Sequence, residues 1–192
     1  MTFNSAEFFT TIRQKKGLLA FGGSLSQDQV EGFNTVLAAA SGAPVAHTAY
    51  MLATAWHETN KTMQPVREAY WLSENWRKSH LRYYPWYGRG FVQLTWEKNY
   101  RRADDELHLS GSLVANPDRA MEPRIAADIM RKGMSEGWFT GVSLGRVLPL
   151  RGVATREQYM NARTIINGHD KADLIEDYAQ AFERALRNGE WA

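Results

Sequence analysis

The chain has 192 residues, of which 44% are hydrophobic and 12% aromatic, and this composition excludes an intrinsically disordered protein because it supplies enough apolar surface for a core. The 23 Lys and Arg residues nearly balance the 21 Asp and Glu residues, for a formal net charge of +2, so the chain is less basic than a dedicated nucleic-acid-binding domain. It contains no cysteine, which excludes a disulfide framework, a thiolate nucleophile and a zinc–thiolate cluster.

The first 23 residues lack the order of a secretory signal. Their apolar residues precede the basic cluster, and no long apolar run follows. Nothing later in the sequence reaches membrane-spanning length. We therefore expect a protein that is made in the cytoplasm and does not insert stably into a membrane.

Apolar spacing and helix-end signals predict a mainly α fold with little or no β structure. A first helix is expected near residues 6–13, and Ser26 with Gln29 forms a capping-box pattern before the second. The second helix places its apolar residues three or four apart, at Val30, Phe33, Leu37 and Ala40. Pro44 can open the third, which runs to Glu58. Further helices are predicted over residues 95–107, 123–136 ending at Gly137, 155–166 ending at Asn167-Gly168, and 170–188.

Residues 65–93 are predicted to be irregular, and a connection of that length is often functional. The segment from Tyr70 to Tyr100 holds nine of the fifteen Trp and Tyr residues, interleaved with Lys and Arg. These aromatic residues can line a groove for a polymer, form part of the core, or stack on nucleic-acid bases. No repeat or linker is present, so we predict a single domain over residues 1–192, with two lobes and a groove between them.

Glu58 is the first candidate for chemistry. On a helix it shares a stripe with Met51, Thr54 and Ala55, so its carboxyl is expected to leave a largely apolar surface. Desolvation there favours the protonated form that a general acid needs. The alternative is a helix-end glutamate in a surface ion pair. A zinc-peptidase helix is excluded, since the position four residues after His57 is Lys61.

Glu68 is the candidate for a second carboxylate, because it lies beyond Pro65 and can face Glu58 from a separate segment. Glycoside hydrolysis with inversion uses such a pair at a separation of roughly 6.5 to 9.5 Å. Glu74 is the rival for this role. The alternative for Glu68 is an ion pair with Arg67 or another surface cation.

The run from Tyr87 to Thr95, YGRGFVQLT, is the most distinctive part of the sequence. Glycines on both sides of Arg89 permit turns and a close approach of the backbone to a ligand, but their spacing is not that of a phosphate-binding loop. Thr95 is placed to cap the next helix, and its hydroxyl can alternatively hold an attacking water.

Together, HET at 57–59, YGRGFVQLT at 87–95, Asn99-Tyr100 and IING at 165–168 resemble glycoside hydrolase family 19, the chitinase and phage-endolysin family. The resemblance extends from about residue 21 through the last helix. It implies a lysozyme-like two-lobed helical fold, an inverting mechanism, and no metal or organic cofactor.

The resemblance also assigns roles to individual residues. Glu58 matches the general acid, Glu68 is similar to the general base, and Thr95 occupies the position that holds the nucleophilic water. The residues predicted to bind substrate are His57, Tyr87, Arg89, Gln93, Asn99 and Asn167. An arginine that some members place near the last helix has no clear match, since Lys171 and Arg184 are both imperfect.

The missing cysteines, the shorter chain and the lack of a separate chitin-binding module favour the endolysin branch over plant chitinases. We therefore predict an endolysin that hydrolyses the β-1,4 bond between N-acetylmuramic acid and N-acetylglucosamine. Its partners would be peptidoglycan glycan strands and no nucleic acid. A monomer is expected, which reaches the wall in the periplasm after release by a membrane-perforating partner. The alternatives are a chitinase and a non-catalytic wall-binding or virion protein.

Overall fold

A computed structural model describes residues 3–14 and 24–191, and its architecture is mainly α. The helices and strands, in chain order, are α1 Ser5–Arg13, α2 Gln27–Ala39, α3 Val45–Glu58, β1 Val66–Arg67, α4 Glu74–His80, β2 Arg89–Gly90, α5 Glu97–Glu106, α6 Ser112–Ala115, α7 Pro123–Glu136, α8 Leu144–Val147, α9 Arg156–Ala162 and α10 Ala172–Asn188. Short 3-10 helices cover Pro117–Met121 and Arg163–Ile165. The predicted fold class, helical with little β structure, is therefore confirmed.

The centre of the core is α3, whose residues 46–56 are all buried. A helix that is apolar on every side has to be surrounded by other elements, and α10, α2 and α7 pack around it. Phe33 of α2 joins these layers, because its ring stacks on Trp56 at 5.7 Å and contacts Phe182 of α10 at 5.6 Å between ring centroids. The end of α3, where Glu58 lies, is thus fixed by the core.

The chain turns sharply after α3. The Thr59 hydroxyl donates to the Ala55 carbonyl at 2.7 Å and accepts from the Met63 amide at 3.0 Å, so one buried side chain secures both sides of the turn. A β-carbon on Gly32 of α2 would lie 1.8 Å from the Met63 carbonyl oxygen. Only glycine lets the turn pack this closely on α2.

The predicted capping box of α2 is present, with the Ser26 and Gln29 side chains bonded to each other's backbone amides. The predicted end of α7 at Gly137 is also confirmed. The prediction for residues 65–93 was incomplete, because this segment contains α4, which begins when the Ser73 side chain accepts from the Trp76 amide.

Two predicted helix bounds were wrong. The helix expected from residue 155 ends at Ala162 and continues only as a 3-10 turn. The helix expected from Thr95 begins at Glu97, and its first flanking residue is Trp96, which has φ 75°. Thr95 therefore does not cap α5, and its hydroxyl donates instead to the Gln93 carbonyl at 2.8 Å.

Of the helices in residues 3–14 and 24–191, none combines the length and the apolar character needed to cross a bilayer.

Candidate active site

A cleft of about 350 Å³ opens at the end of α3. It is lined by residues 57–60 at the end of α3 and in the turn after it, by residues 66–71, and by Gln93. Glu58 and Glu68 therefore reach one cavity from two separate segments. This is the relation that the sequence predicted for a pair of catalytic carboxylates, while their roles stay predictions.

Glu58 forms an ion pair at the edge of the cleft. Its Oε1 lies 2.8 Å from Nη1 of Arg163, and 18% of the Glu58 side chain is exposed against 4% of the Arg163 side chain. The stripe residues Met51, Thr54 and Ala55 are buried, as the apolar surface predicted for this carboxyl requires. The carboxyl is nevertheless paired, because a buried guanidinium reaches it from the 3-10 turn after α9. Part of the carboxylate's charge is balanced inside the protein.

Arg163 is the partner of Glu58 that sequence analysis missed. Its Nε donates to the Asp170 carbonyl at 3.0 Å, so the same side chain connects the loop before α10 to Glu58. The available signal was its position, two residues before the IING motif. Lys171 and Arg184, the two imperfect matches for the family's arginine, lie farther along the chain.

The Glu68 carboxylate is held by two hydrogen bonds from a single loop. Its Oε1 accepts from the Tyr83 hydroxyl at 2.6 Å, and its Oε2 accepts from the Gly88 amide at 2.9 Å. The alternative of an ion pair with Arg67 is excluded, because that guanidinium binds Asp118 at 2.7 Å. The two donors fix the orientation of the carboxylate relative to the cleft.

The two strands place Glu68 opposite the glycine-rich run. Val66 of β1 pairs antiparallel with Gly90 of β2, and the Glu68 amide donates to the Gly88 carbonyl at 2.7 Å. Gly90 has φ +86°, and a β-carbon there would lie 3.0 Å from the Ala120 carbonyl oxygen. The glycine therefore serves close packing of protein on protein.

Glu74, the rival for the base, does not line this cleft. Its side chain is 53% exposed, and its carboxylate binds Nη1 of Arg77 at 3.1 Å and the Tyr87 hydroxyl at 3.0 Å. Glu74 is the first residue of α4, outside the segments that line the cleft. The geometry thus favours Glu68 as the partner of Glu58.

Tyr87 and Arg89 are buried and lie outside the lining of the cleft, so their contact with substrate stays a prediction. Arg89 is 3% exposed; its Nε binds Asp118 at 2.8 Å and its Nη1 donates to the Tyr100 hydroxyl at 3.0 Å. Its guanidinium also lies over the Tyr87 ring, 3.6 Å from the centroid. A buried charge with these partners has a structural role: it holds the loop that carries Gly88.

The aromatic segment is divided between groove and core. Tyr70 and Trp71 line the cleft, with Trp71 72% exposed, and their rings meet edge to face at 5.2 Å. Tyr87 and Tyr100 belong to the buried part of the chain. Exposed aromatic faces beside two carboxylates suit the apolar faces of sugar rings.

Gln93 and His57 line the cleft, as a substrate-binding role requires. Gln93 has φ 52°, and its side-chain amide donates to the Val66 carbonyl at 3.0 Å, which ties the glycine-rich run to β1. Burial lowers the pKa of His57, although the charge of Glu58 acts in the opposite direction. His57 is therefore favoured in its neutral form.

Three other predicted residues lie outside the lining of this cleft. Thr95 is partly buried, and its carbonyl accepts from the Asn99 side chain at 2.8 Å. Asn167 is exposed, and its amide donates to the Arg163 carbonyl at 3.0 Å. Their contact with substrate or water stays a prediction. No group of three or more metal-ligating side chains was found in the described ranges.

Comparison with known proteins identifies the fold. No family model matches the sequence, and no curated protein matches it. The structure is similar to that of chitinase C from Streptomyces griseus, with a TM-score of 0.57 and 18% identity over 98% of this chain and 76% of that one. A Glu-to-Gln mutant of chitinase C matches with a TM-score of 0.54 and 18% identity, over 99% of this chain and 93% of the other. The chain therefore has a chitinase-like fold, and the predicted lysozyme-like helical class is confirmed.

Proposed function

We propose that the protein is an inverting glycoside hydrolase that cleaves β-1,4 bonds between N-acetylated sugars. The observation that carries this proposal is the pair of carboxylates, Glu58 and Glu68, which line one cleft next to exposed aromatic rings. The chitinase-like fold and the motif resemblance support the same reaction class.

In the proposed reaction, Glu68 takes a proton from a water molecule as that water attacks the anomeric carbon. Glu58 donates a proton to the departing glycosidic oxygen, so the two carboxyl groups exchange charge during the step. Oε1 of Glu58 is occupied by Arg163, whereas Oε2 has no hydrogen bond to any described residue. Oε2 is thus the oxygen available to carry the transferred proton.

The substrate that we propose is the glycan strand of peptidoglycan, cut between N-acetylmuramic acid and N-acetylglucosamine. The motif resemblance, which includes phage endolysins, supports this choice, and it would place the enzyme at the cell wall during bacterial lysis. The fold of chitinase C favours a second candidate, hydrolysis of N-acetylglucosamine polymers. Mass spectrometry of the products from purified peptidoglycan and from chitin distinguishes the two.

The reaction class is tested by Glu58→Gln and Glu68→Gln, assayed for release of reducing ends from peptidoglycan and chitin. Each substitution should reduce kcat by at least about a hundredfold, while circular dichroism and cooperative melting remain those of a folded protein. Glu74→Gln is the matched control and should keep activity. A fully active Glu58→Gln refutes the proposal, and loss of activity in Glu74→Gln but not in Glu68→Gln reassigns the base.

A further inference from the structure

Both oxygens of the Glu68 carboxylate have a fixed donor. The Gly88 amide that binds Oε2 belongs to the backbone, but the donor to Oε1 is a side chain, Tyr83, at 2.6 Å. Fifteen residues separate Tyr83 from Glu68, so local sequence does not bring them together. With both bonds made, the carboxylate has one orientation relative to the cleft.

Tyr83 is suited to remain a donor. Burial, followed by the hydrogen bond to Glu68 and its negative charge, raises the pKa of Tyr83 to about 12. The phenol therefore keeps its proton throughout the pH range in which a carboxylate pair works. A hydroxyl that cannot ionise gives Glu68 a constant hydrogen bond.

The ring of Tyr83 is itself held in place. It packs edge-on against Trp96 at 5.0 Å between centroids, and the Arg82 guanidinium lies over Trp96 at 5.2 Å. Trp96 has φ 75°, a conformation that is unfavourable for a bulky residue and is retained only where the surroundings fix it. Its amide donates to the Trp86 carbonyl at 2.8 Å. Trp96 thus packs against Tyr83 from a backbone that its neighbours hold in this conformation.

We propose that Tyr83 is a positioning residue for Glu68: its hydroxyl fixes the carboxylate for the attacking water and stabilises the ionised form. This inference rests on the proposed function, because it assigns Tyr83 a part in the work of the general base. Tyr83 does not itself line the cleft, so it acts through Glu68 and not on substrate.

The hydrogen bond has a consequence for pH dependence. A general base works only when ionised, so removal of a donor makes Glu68 easier to protonate and moves the acidic limb of the pH–rate profile to higher pH. The charged groups around Glu68 and Tyr83 include Arg77, which binds the Glu68 carbonyl, and Arg82, whose charge acts on Tyr83. The Glu58, His57 and Arg67 side chains line the same cleft. The loss of one phenol oxygen leaves all of them in place.

The test compares Tyr83→Phe with Tyr84→Phe, the same substitution at the next residue, whose hydroxyl makes no hydrogen bond to the described residues. Initial rates are measured on purified peptidoglycan strands and on N-acetylglucosamine oligomers between pH 4 and 9, a range of about five units around the limb. Tyr83→Phe should move the acidic limb up by about half to one pH unit and lower kcat roughly three- to tenfold at acidic pH. KM should change by less than about twofold, because substrate contacts are intact. Tyr84→Phe should follow the wild type.

A second measurement is independent of activity. Titration of 13C-labelled glutamate carboxyls by NMR should give a higher midpoint for Glu68 in Tyr83→Phe than in the wild type or Tyr84→Phe. An active wild type combined with an unmoved limb and midpoint in Tyr83→Phe overturns the inference alone. A Tyr83→Phe variant that loses activity equally at every pH also overturns it, since that pattern indicates a structural role. A wild type that cleaves neither probe refutes the proposed function, and with it the role of Tyr83.

Discussion

The ion pair between Glu58 and Arg163 can be tested by a double-mutant cycle. Arg163→Met removes the guanidinium but keeps the length of the side chain, and Glu58→Gln removes the charge of its partner. Each single variant leaves one member of a 2.8 Å pair without its counter-charge. The double variant has neither charge, so the free energies of unfolding of the four proteins report the interaction itself.

The expected magnitude follows from burial. Breaking a fully buried pair destabilises a protein by about 3 to 5 kcal/mol, but the Glu58 side chain is 18% exposed, so water offsets part of the loss. We expect Arg163→Met to lower the free energy of unfolding by about 3 kcal/mol, which includes its hydrogen bond to the Asp170 carbonyl. The coupling energy between Arg163 and Glu58 should be about 2 kcal/mol.

The assay is urea denaturation at pH 7, followed by tryptophan fluorescence. The control cycle uses Arg101 and Glu97, which form a 2.6 Å pair with both side chains about half exposed, and its coupling should be below about 0.5 kcal/mol. If the effects of Arg163→Met and Glu58→Gln on the free energy of unfolding are additive, the two side chains do not interact, and the reasoning is refuted. Activity should stay low in the double variant, because a glutamine at position 58 cannot supply the proton that the proposed mechanism needs.

Three further predictions concern single positions. Asp104→Ala should lower Tm by about 6 to 12 °C, because the buried carboxylate accepts from three backbone amides at 2.6, 2.6 and 3.2 Å; the exposed neighbour Asp105→Ala should melt as the wild type. Trp71→Ala should raise KM about tenfold without a change in Tm, whereas Trp76→Ala, outside the cleft, should leave KM unchanged, and equal KM values in all three proteins would remove Trp71 from the site. Burial lowers the pKa of His47 below its ordinary value of 6.5, so protonation favours the unfolded chain and stability should fall as pH drops below about 6.5; urea melts at several pH values should give a flatter dependence for His47→Gln, and equal slopes would contradict this.

Local patterns determined several of the helices, including α3, whose end lies in the cleft. The capping box of α2, the proline before α3 and the glycine after α7 each act within a few residues, so the sequence is sufficient to identify them. The same applies to Glu58, because the end of α3 and the HET motif can both be identified from the sequence. Prediction failed where residues distant in sequence decide the start of a helix. Thr95 was expected to cap α5, but Trp96 occupies the cap position, where it contacts Tyr83 and donates its amide to the Trp86 carbonyl.

The surroundings of the two carboxylates depended on the tertiary structure. Arg163 meets Glu58 across 105 positions of the chain, and Tyr83 meets Glu68 across 15. The same packing buried Arg89, which its motif had suggested for substrate. Spacing along a sequence specifies which residues share one helix face, whereas electrostatic environment depends on every atom within a few ångströms. Those atoms come from segments that only the folded chain brings together.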